Sequence, residues 1–278
     1  MISPRAVSLT VFAMLAFAGN SLLCRIALRD TAIDAASFTS IRLAAGALVL
    51  AAIMLARKSP AMADGSWPMA AMLFGYAAFF SLAYRELTAA TGALLLFGAV
   101  QSSMLGYGLV KGERLQPLQV AGLLVAVGGL VYMLLPGLAA PPIVSAACML
   151  AAGASWAVYS VLGRGVGNPV GATAGNFLRS LPFTAVLSLV TLGAAQIDGA
   201  GAGYAVLSGA ITSGLGYVLW YAALPALKAT SAATVQLSVP ALAALGGVAL
   251  LGEVMSPRLL VASAAILGGI ALTISRRT

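Results

Sequence analysis

Two copies of one turn decide the fold. The first reads Gly112-Glu113-Arg114-Leu115-Gln116-Pro117, and the second, 140 positions later, reads Gly252-Glu253-Val254-Met255-Ser256-Pro257. The surrounding run, residues 92–135, keeps the same register: Leu105-Gly106 falls on Leu245-Gly246, and Gly128-Gly129 on Gly268-Gly269. Each copy is an apolar run, a Gly-Glu-x-x-x-Pro turn, then a second apolar run ending in a glycine pair. Ungapped agreement across a turn marks an internal duplication, the sequence signature of a repeat architecture.

The chain has 278 residues, of which 61% are hydrophobic and 8% charged. A soluble domain carries about 25% charged residues. Here apolar runs repeatedly reach the ~20 residues that cross a bilayer core. The composition therefore predicts an all-α polytopic membrane protein with little chain left for a soluble domain. Net charge is +8 without a histidine; positive-inside topology accounts for this better than nucleic acid or acidic lipid as a specific ligand. Cys24 and Cys148 lie at or within apolar runs and do not form a disulfide framework.

Ten spans are expected, near 6–24, 38–56, 69–87, 89–110, 117–138, 143–162, 172–194, 203–224, 231–251 and 258–275. Arg5 before an apolar run resembles a signal peptide. However, Ala-Met-Leu-Ala at 13–16 recurs as Cys-Met-Leu-Ala at 148–151, so the first span is expected to be structural and retained. Arg42 pairs with Arg179, and Tyr84-x-x-Leu87 with Tyr221-x-x-Leu224. The unit is then five helices, 1–138 and 142–278, joined by the Pro136–Pro142 linker. An odd unit forces the second copy to enter from the opposite side, giving two inverted five-helix repeats. With the N-terminus inside, Arg5, Arg57, Lys58, Lys111, Arg114, Arg164, Lys228, Arg276 and Arg277 are cytoplasmic, and Arg25, Arg29, Arg85 and Arg258 are outside. That imbalance places both termini in the cytoplasm of a cell inner (plasma) membrane protein.

A ten-helix inverted repeat with Gly-Glu-x-x-x-Pro before the last helix of each half resembles the drug/metabolite transporter superfamily, and within it the EamA-type exporters. The likeness covers nearly the whole chain. Ser155-Trp156-Ala157-Val158-Tyr159 is similar to the aromatic amino acid exporters of that group (the YddG type). Relatives of that type carry aromatic residues in span 1 and at the centre of span 4, where this chain has Phe17 and Phe97-Gly98-Ala99-Val100. The resemblance implies a multi-pass transporter exporting amino acids, aromatic or otherwise neutral zwitterions, and related small metabolites. It implies no enzyme and no cofactor.

Polar groups inside a membrane are costly and face a cavity or a partner helix. Asn20 and Ser21 in span 1, Gln101 with Ser102 and Ser103 in span 4, Ser155 in span 6, and Gln236 and Ser238 in span 9 are candidates. Amides and hydroxyls re-solvate both ends of a zwitterion while binding loosely enough to release it. Helix–helix hydrogen bonding is the alternative for each, at about 0.6 kcal/mol on average in membranes. Tyr76, Phe79, Phe97, Trp156 and Tyr217 lie mid-span and are expected to line a substrate cavity, whereas Tyr84, Trp220 and Tyr221 near span ends read as interfacial anchors. Arg42 and Arg179 lie within about two turns of helix starts, where long side chains reach the headgroups. Glu113 and Glu253 read as caps of the helices that Pro117 and Pro257 open.

The spans hold no Asp, Glu or His at mid-membrane and no metal-ligand cluster. Facilitated export by alternating access between spans 1, 3, 4 and 6, 8, 9 is the expected mechanism, with Pro182 and Pro240 bending their helices. Spans 5 and 10 should sit outside as scaffold. A proton-coupled multidrug or organic-cation exporter, or a nucleotide-sugar or sugar-phosphate carrier, is the alternative; the second calls for cavity cations, and no Lys or Arg is expected at mid-span. The expected partners are a small-molecule substrate and membrane lipid, with no nucleic acid. Fusion of the two repeats supplies a two-fold partner internally and is consistent with a monomer.

Overall fold

The structure is a computed structural model describing residues 4–60, 62, 64–112, 116–135, 137, 140–163, 166–227 and 235–274. Its helices are α1 Pro4–Asp30, α2 Ala35–Ala56, α3 Trp67–Tyr84, α4 Ala89–Val110, α5 Pro117–Leu134, α6 Ile143–Leu162 and α7 Pro169–Val190. They continue with α8 Gly199–Ala223, α9 Ser238–Leu251 and α10 Pro257–Ile274. Starts follow local chemistry: Asp34, Ser66, Thr88 and Asn168 accept from first-turn amides of α2, α3, α4 and α7. Proline opens α5, α7 and α10 at a position that needs no amide hydrogen.

Seven of these helices, α1 to α6 and α8, are long and apolar enough to cross a membrane, and this is a multi-pass bundle. The other three fall short for separate reasons. Helix α7 has the length, but Thr173, Asn176, Arg179, Ser180 and Thr184 dilute its hydropathy. Helix α9 begins only at Ser238, and residues 228–234, expected in the ninth span, lie outside the described residues. Helix α10 is apolar over Pro257–Leu272, the stretch whose side chains are described. Large apolar side chains such as Leu48, Leu55, Leu124 and Leu250 face outward, as expected of a surface that meets lipid tails.

Helix contacts come in exchanged pairs. Helix α3 packs on α6 as α8 packs on α1, and α4 packs on α6 as α9 packs on α1. Helix α3 meets α7 as α8 meets α2, while α2 with α7, α4 with α9 and α5 with α10 pair directly. Helix α5 engages chiefly α10, with a slighter contact to α4, which sets this pair to one side of the bundle.

Two expectations about helix shape change. Pro240 is the third residue of α9, in the first turn, where its missing amide costs nothing; only Pro182 lies inside a helix. The unforeseen distortion is in α8, where Ser208–Leu215 is wound more widely, as a π-helix. Helix α1 runs to Asp30, so Arg25 and Arg29 belong to its last turns, not to a loop. Arg25 pairs there with Glu253, and Arg29 with Asp30 and the Leu251 carbonyl, so these exceptions to the charge bias are already engaged. Of the expected cytoplasmic set, Arg114, Arg164, Lys228, Arg276 and Arg277 lie outside the described residues.

Candidate functional site

A small cavity of about 20 Å³, little more than room for one water, sits among α1, α3, α4, α6, α8 and the turn before α9. Its walls include Asn20, Ser21, Tyr76, Phe97, Trp156, Tyr217 and Gln236, all expected, together with Phe17, Phe80, Leu96 and Thr212. Three expected residues are elsewhere. Phe79 is 38% exposed, because α3 turns its neighbours Tyr76 and Phe80 inward and leaves Phe79 on the outer face. Gln101 is half-buried a turn beyond Phe97 and is not part of the wall. The Ser238 hydroxyl donates to the Val235 carbonyl at 2.6 Å, closing the turn into α9.

Aromatic rings fill one side. Trp156 lies 5.0 Å from Tyr76 and 5.1 Å from Tyr217 between centroids, both tilted, and stacks on Tyr159 at 5.4 Å. Phe17 meets Tyr217 and Trp220 edge-on at 5.9 and 6.0 Å. Separations near 5 Å leave no gap for another ring between Trp156 and either tyrosine. An aromatic ligand could stack here only after Trp156 moves. Gly153 lets α6 approach α4 closely, since a Cβ there would lie 2.6 Å from the Ala99 Cβ.

The polar side is built around Asn20. Its Nδ2 donates to Tyr76 Oη at 3.3 Å, and its Oδ1 accepts from Ser208 Oγ at 2.7 Å and Thr212 Oγ1 at 3.3 Å. Tyr76 Oη also accepts from Arg42 Nη2 at 3.4 Å, so both lone pairs are used and the hydroxyl proton remains to be donated. Arg42 Nε donates to Ser213 Oγ at 3.3 Å. Its guanidinium lies 5.3 Å from the Tyr76 ring centroid and 5.0 Å from that of Phe80.

Arg42 does not reach the headgroups. It is 1% exposed, and Nη1 has no hydrogen-bond partner among the described residues. The local sequence explains this. Phe38, Thr39, Arg42, Leu43, Gly46 and Leu50 recur at helical spacing, and all are buried. That periodicity was the available signal, and distance from the helix start misled. Its partner in the repeat behaves differently: Arg179 donates to the carbonyls of Asp64 at 2.7 Å and Met62 at 3.0 Å, in the α2–α3 loop.

The wide turn of α8 makes the polar side possible. In an α-helix of 3.6 residues per turn, Ser208 and Ser213 would point about 140° apart. The wider i→i+5 winding narrows that angle, and Ser208 and Thr212 hold Asn20 while Ser213 holds Arg42. Helix α2 lies close enough that a Cβ on Gly209 would run into the Arg42 carbonyl oxygen.

Other expected roles change. Glu253 is a cap, but of α4: its Oε2 accepts from the Ala89 amide at 2.8 Å and its Oε1 from Arg25 Nε at 3.1 Å. Arg25 also donates to the carbonyls of Tyr84 and Arg85, tying α1, the α3–α4 turn and the α9–α10 turn together. Glu113 lies outside the described residues. Tyr84 and Trp220 are buried in the bundle and do not present themselves to an interface; Tyr84 is fully enclosed. Among the described residues, no group of three or more Cys, Asp or Glu is placed to hold a metal ion.

Residues 144–275 match the EamA-like transporter family. Over 274 residues the chain is 58% identical to "Uncharacterized protein PA1977" of Pseudomonas aeruginosa, covering 98% of this chain and 96% of that one. The fold is similar to the crystal structure of a protein 24% identical, with a TM-score of 0.68 over 96% of this chain and 98% of that chain.

Proposed function

We propose, from the premise that the chain belongs to the EamA-like transporter family, that it exports amino acids from the cytoplasm by facilitated alternating access. The coarse statement stands by itself: the chain is a multi-pass membrane transporter of small molecules. The finer reading rests on one observation. An interior cavity shared by both halves of the chain sets an amide–hydroxyl cluster at Asn20, Tyr76 and Thr212 beside the rings of Trp156 and Tyr217. Such a wall suits a ligand with a polar zwitterionic end and an apolar or aromatic side chain, so the aromatic amino acids lead the candidates.

The exchanged helix contacts support two inverted repeats, residues 1–138 and 142–278, rocking about this site. In that arrangement all ten helices span the inner membrane and both termini are cytoplasmic. No carboxylate lines the cavity, which favours transport down a gradient over proton coupling. A sugar-phosphate carrier is the second reading, and the buried Arg42 now favours it more than the sequence did.

Counterflow in proteoliposomes tests the proposal. Protein preloaded with tryptophan, phenylalanine or threonine should exchange label saturably, without a pH gradient. Movement of a quaternary-ammonium dye that requires the proton gradient, with no amino acid exchange, would reverse it.

A further inference from the structure

Among the described residues, Arg42 is a fully buried charge without an ionised partner. An arginine stays charged at any physiological pH, and a buried charge is costly unless it is paired. The two ion pairs among the described residues, Arg25 with Glu253 and Arg29 with Asp30, do not involve it. The six acidic residues among the described ones fall at helix ends or between helices, at positions 30, 34, 64, 86, 198 and 253. Arg42 instead makes two long hydrogen bonds to neutral hydroxyls, lies against two rings, and leaves Nη1 unsatisfied. A charge kept in the interior on such terms marks a functional site.

Its position gives that site a place. Arg42 stands directly behind the cavity wall, against Tyr76 and Phe80, which both line the cavity. Tyr76 Oη accepts from Arg42 and from Asn20, which turns its own O–H outward as a donor polarised by the guanidinium. We infer that Arg42 sets the charge selectivity of the cavity, recognising a substrate carboxylate through the Tyr76 hydroxyl and excluding organic cations. One positive charge matches a single carboxylate; a doubly charged phosphate would call for more cations than this wall supplies. In this role Arg42 is a positioning and specificity residue. The inference deepens the export reading and rests on the same cavity being the transport site.

The test compares wild-type protein, Arg42→Gln and Arg42→Lys in proteoliposome counterflow. The probes are tryptophan, indolepropionate, which keeps the carboxylate alone, tryptamine, which keeps the ammonium alone, and a sugar phosphate. Wild type should carry the first two and reject tryptamine. Hydrogen bonds to charged groups correspond to about a ten- to hundredfold change in affinity, so Arg42→Gln should raise KM for both carboxylates by about that factor with a smaller change in maximal rate. Arg42→Lys should recover part of the loss, which a purely structural role would not predict. Should Arg42→Gln fail to fold, the wild-type preference and the Lys variant still decide. Unchanged KM in a well-folded Arg42→Gln, or wild type that carries tryptamine as readily as tryptophan, overturns the inference and leaves amino acid export standing. Arg42-dependent flux of a non-aromatic carboxylate alone would instead keep the inference and remove the aromatic substrate. Arg42-dependent flux of the sugar phosphate alone would overturn both.

Discussion

At the scale of single residues, Trp156 of α6 and Phe79 of α3 carry opposite expectations. Trp156 contacts Tyr76, Tyr159 and Tyr217 in the cavity wall, whereas Phe79 points outward. Each aromatic pair contributes about 0.5–1.5 kcal/mol beyond area burial, so Trp156→Ala should cut counterflow about tenfold while membrane abundance is kept. Phe79→Ala should leave the rate near wild type; equal losses in both variants would place the transport path elsewhere. Asp34 offers a test by pH. Burial pushes its carboxyl up, but hydrogen bonds from Ser37, Gln196 and Ala36 outweigh this and hold it below the usual carboxylate range. A lowered folded-state value means stability that is fully present above the unfolded value, about 3.9, and is lost as pH falls through the folded one. Asp34→Ala should therefore cost about 1 kcal/mol at pH 7 through the lost cap, and the gap in thermal midpoint between variant and wild type should narrow in acid. A gap independent of pH would mean the ionised carboxylate contributes nothing special.

At the scale of elements, the decisive contact is that of α2 with α8. The wide turn at Ser208–Leu215 and the close approach at Gly209 together bring three hydroxyls to Asn20 and Arg42. Gly209→Ala should separate the two helices, at about 1–3 kcal/mol for overpacking, and should lower both the thermal midpoint and transport. Gly128→Ala in α5 is the contrast, because a Cβ there meets nothing. It should be neutral or slightly stabilising, as expected of alanine in a helix. If Gly209→Ala melts like wild type, the two helices do not need that approach. This element also shows the limit of reading the sequence. Gly-x-x-x-Ser at 209–213 announces a small face, and composition announces a helix, but nothing in the residue order announces i→i+5 winding, which depends on what α2 presents opposite. Arg42 was misread for a different reason, since the apolar periodicity around it pointed inward while its distance from the helix start pointed to the headgroups. Its place near a helix start was visible; that the adjoining helices would bury that start was not. The helix positions, the peripheral α5 and α10, and the aromatic and amide character of the site were legible, because apolar run length and turn chemistry are local.

At the scale of the whole molecule, both ends of the bundle are tied across the two halves of the chain. At one end Glu253 joins Arg25 and the start of α4. Elsewhere Arg179 and Asn168 of the second half hold the α2–α3 loop through the Asp64 carbonyl and carboxylate. Under the alternating access proposed above, opening toward one side would have to break one tie while the other holds. Cys24 provides a native reporter. It is fully buried, next to Arg25, and the other cysteine, Cys148, can be removed as Cys148→Ser. Glu253→Gln keeps an oxygen to accept from the Ala89 amide but removes the charge that holds Arg25. In the Cys148→Ser background it should therefore speed modification of Cys24 by a thiol reagent several-fold, and a transported substrate should slow it again by favouring the closed form. An exposed ion pair contributes at most about 1 kcal/mol, but this one is largely buried, 11% and 6% exposed at its two side chains. Removing its charge should therefore shift a population and not merely a rate. If Cys24 stays equally slow in Glu253→Gln, the tie is a fastening of the fold and the gate lies at the other end, where the same assay on a cysteine placed at Gly167 would find it.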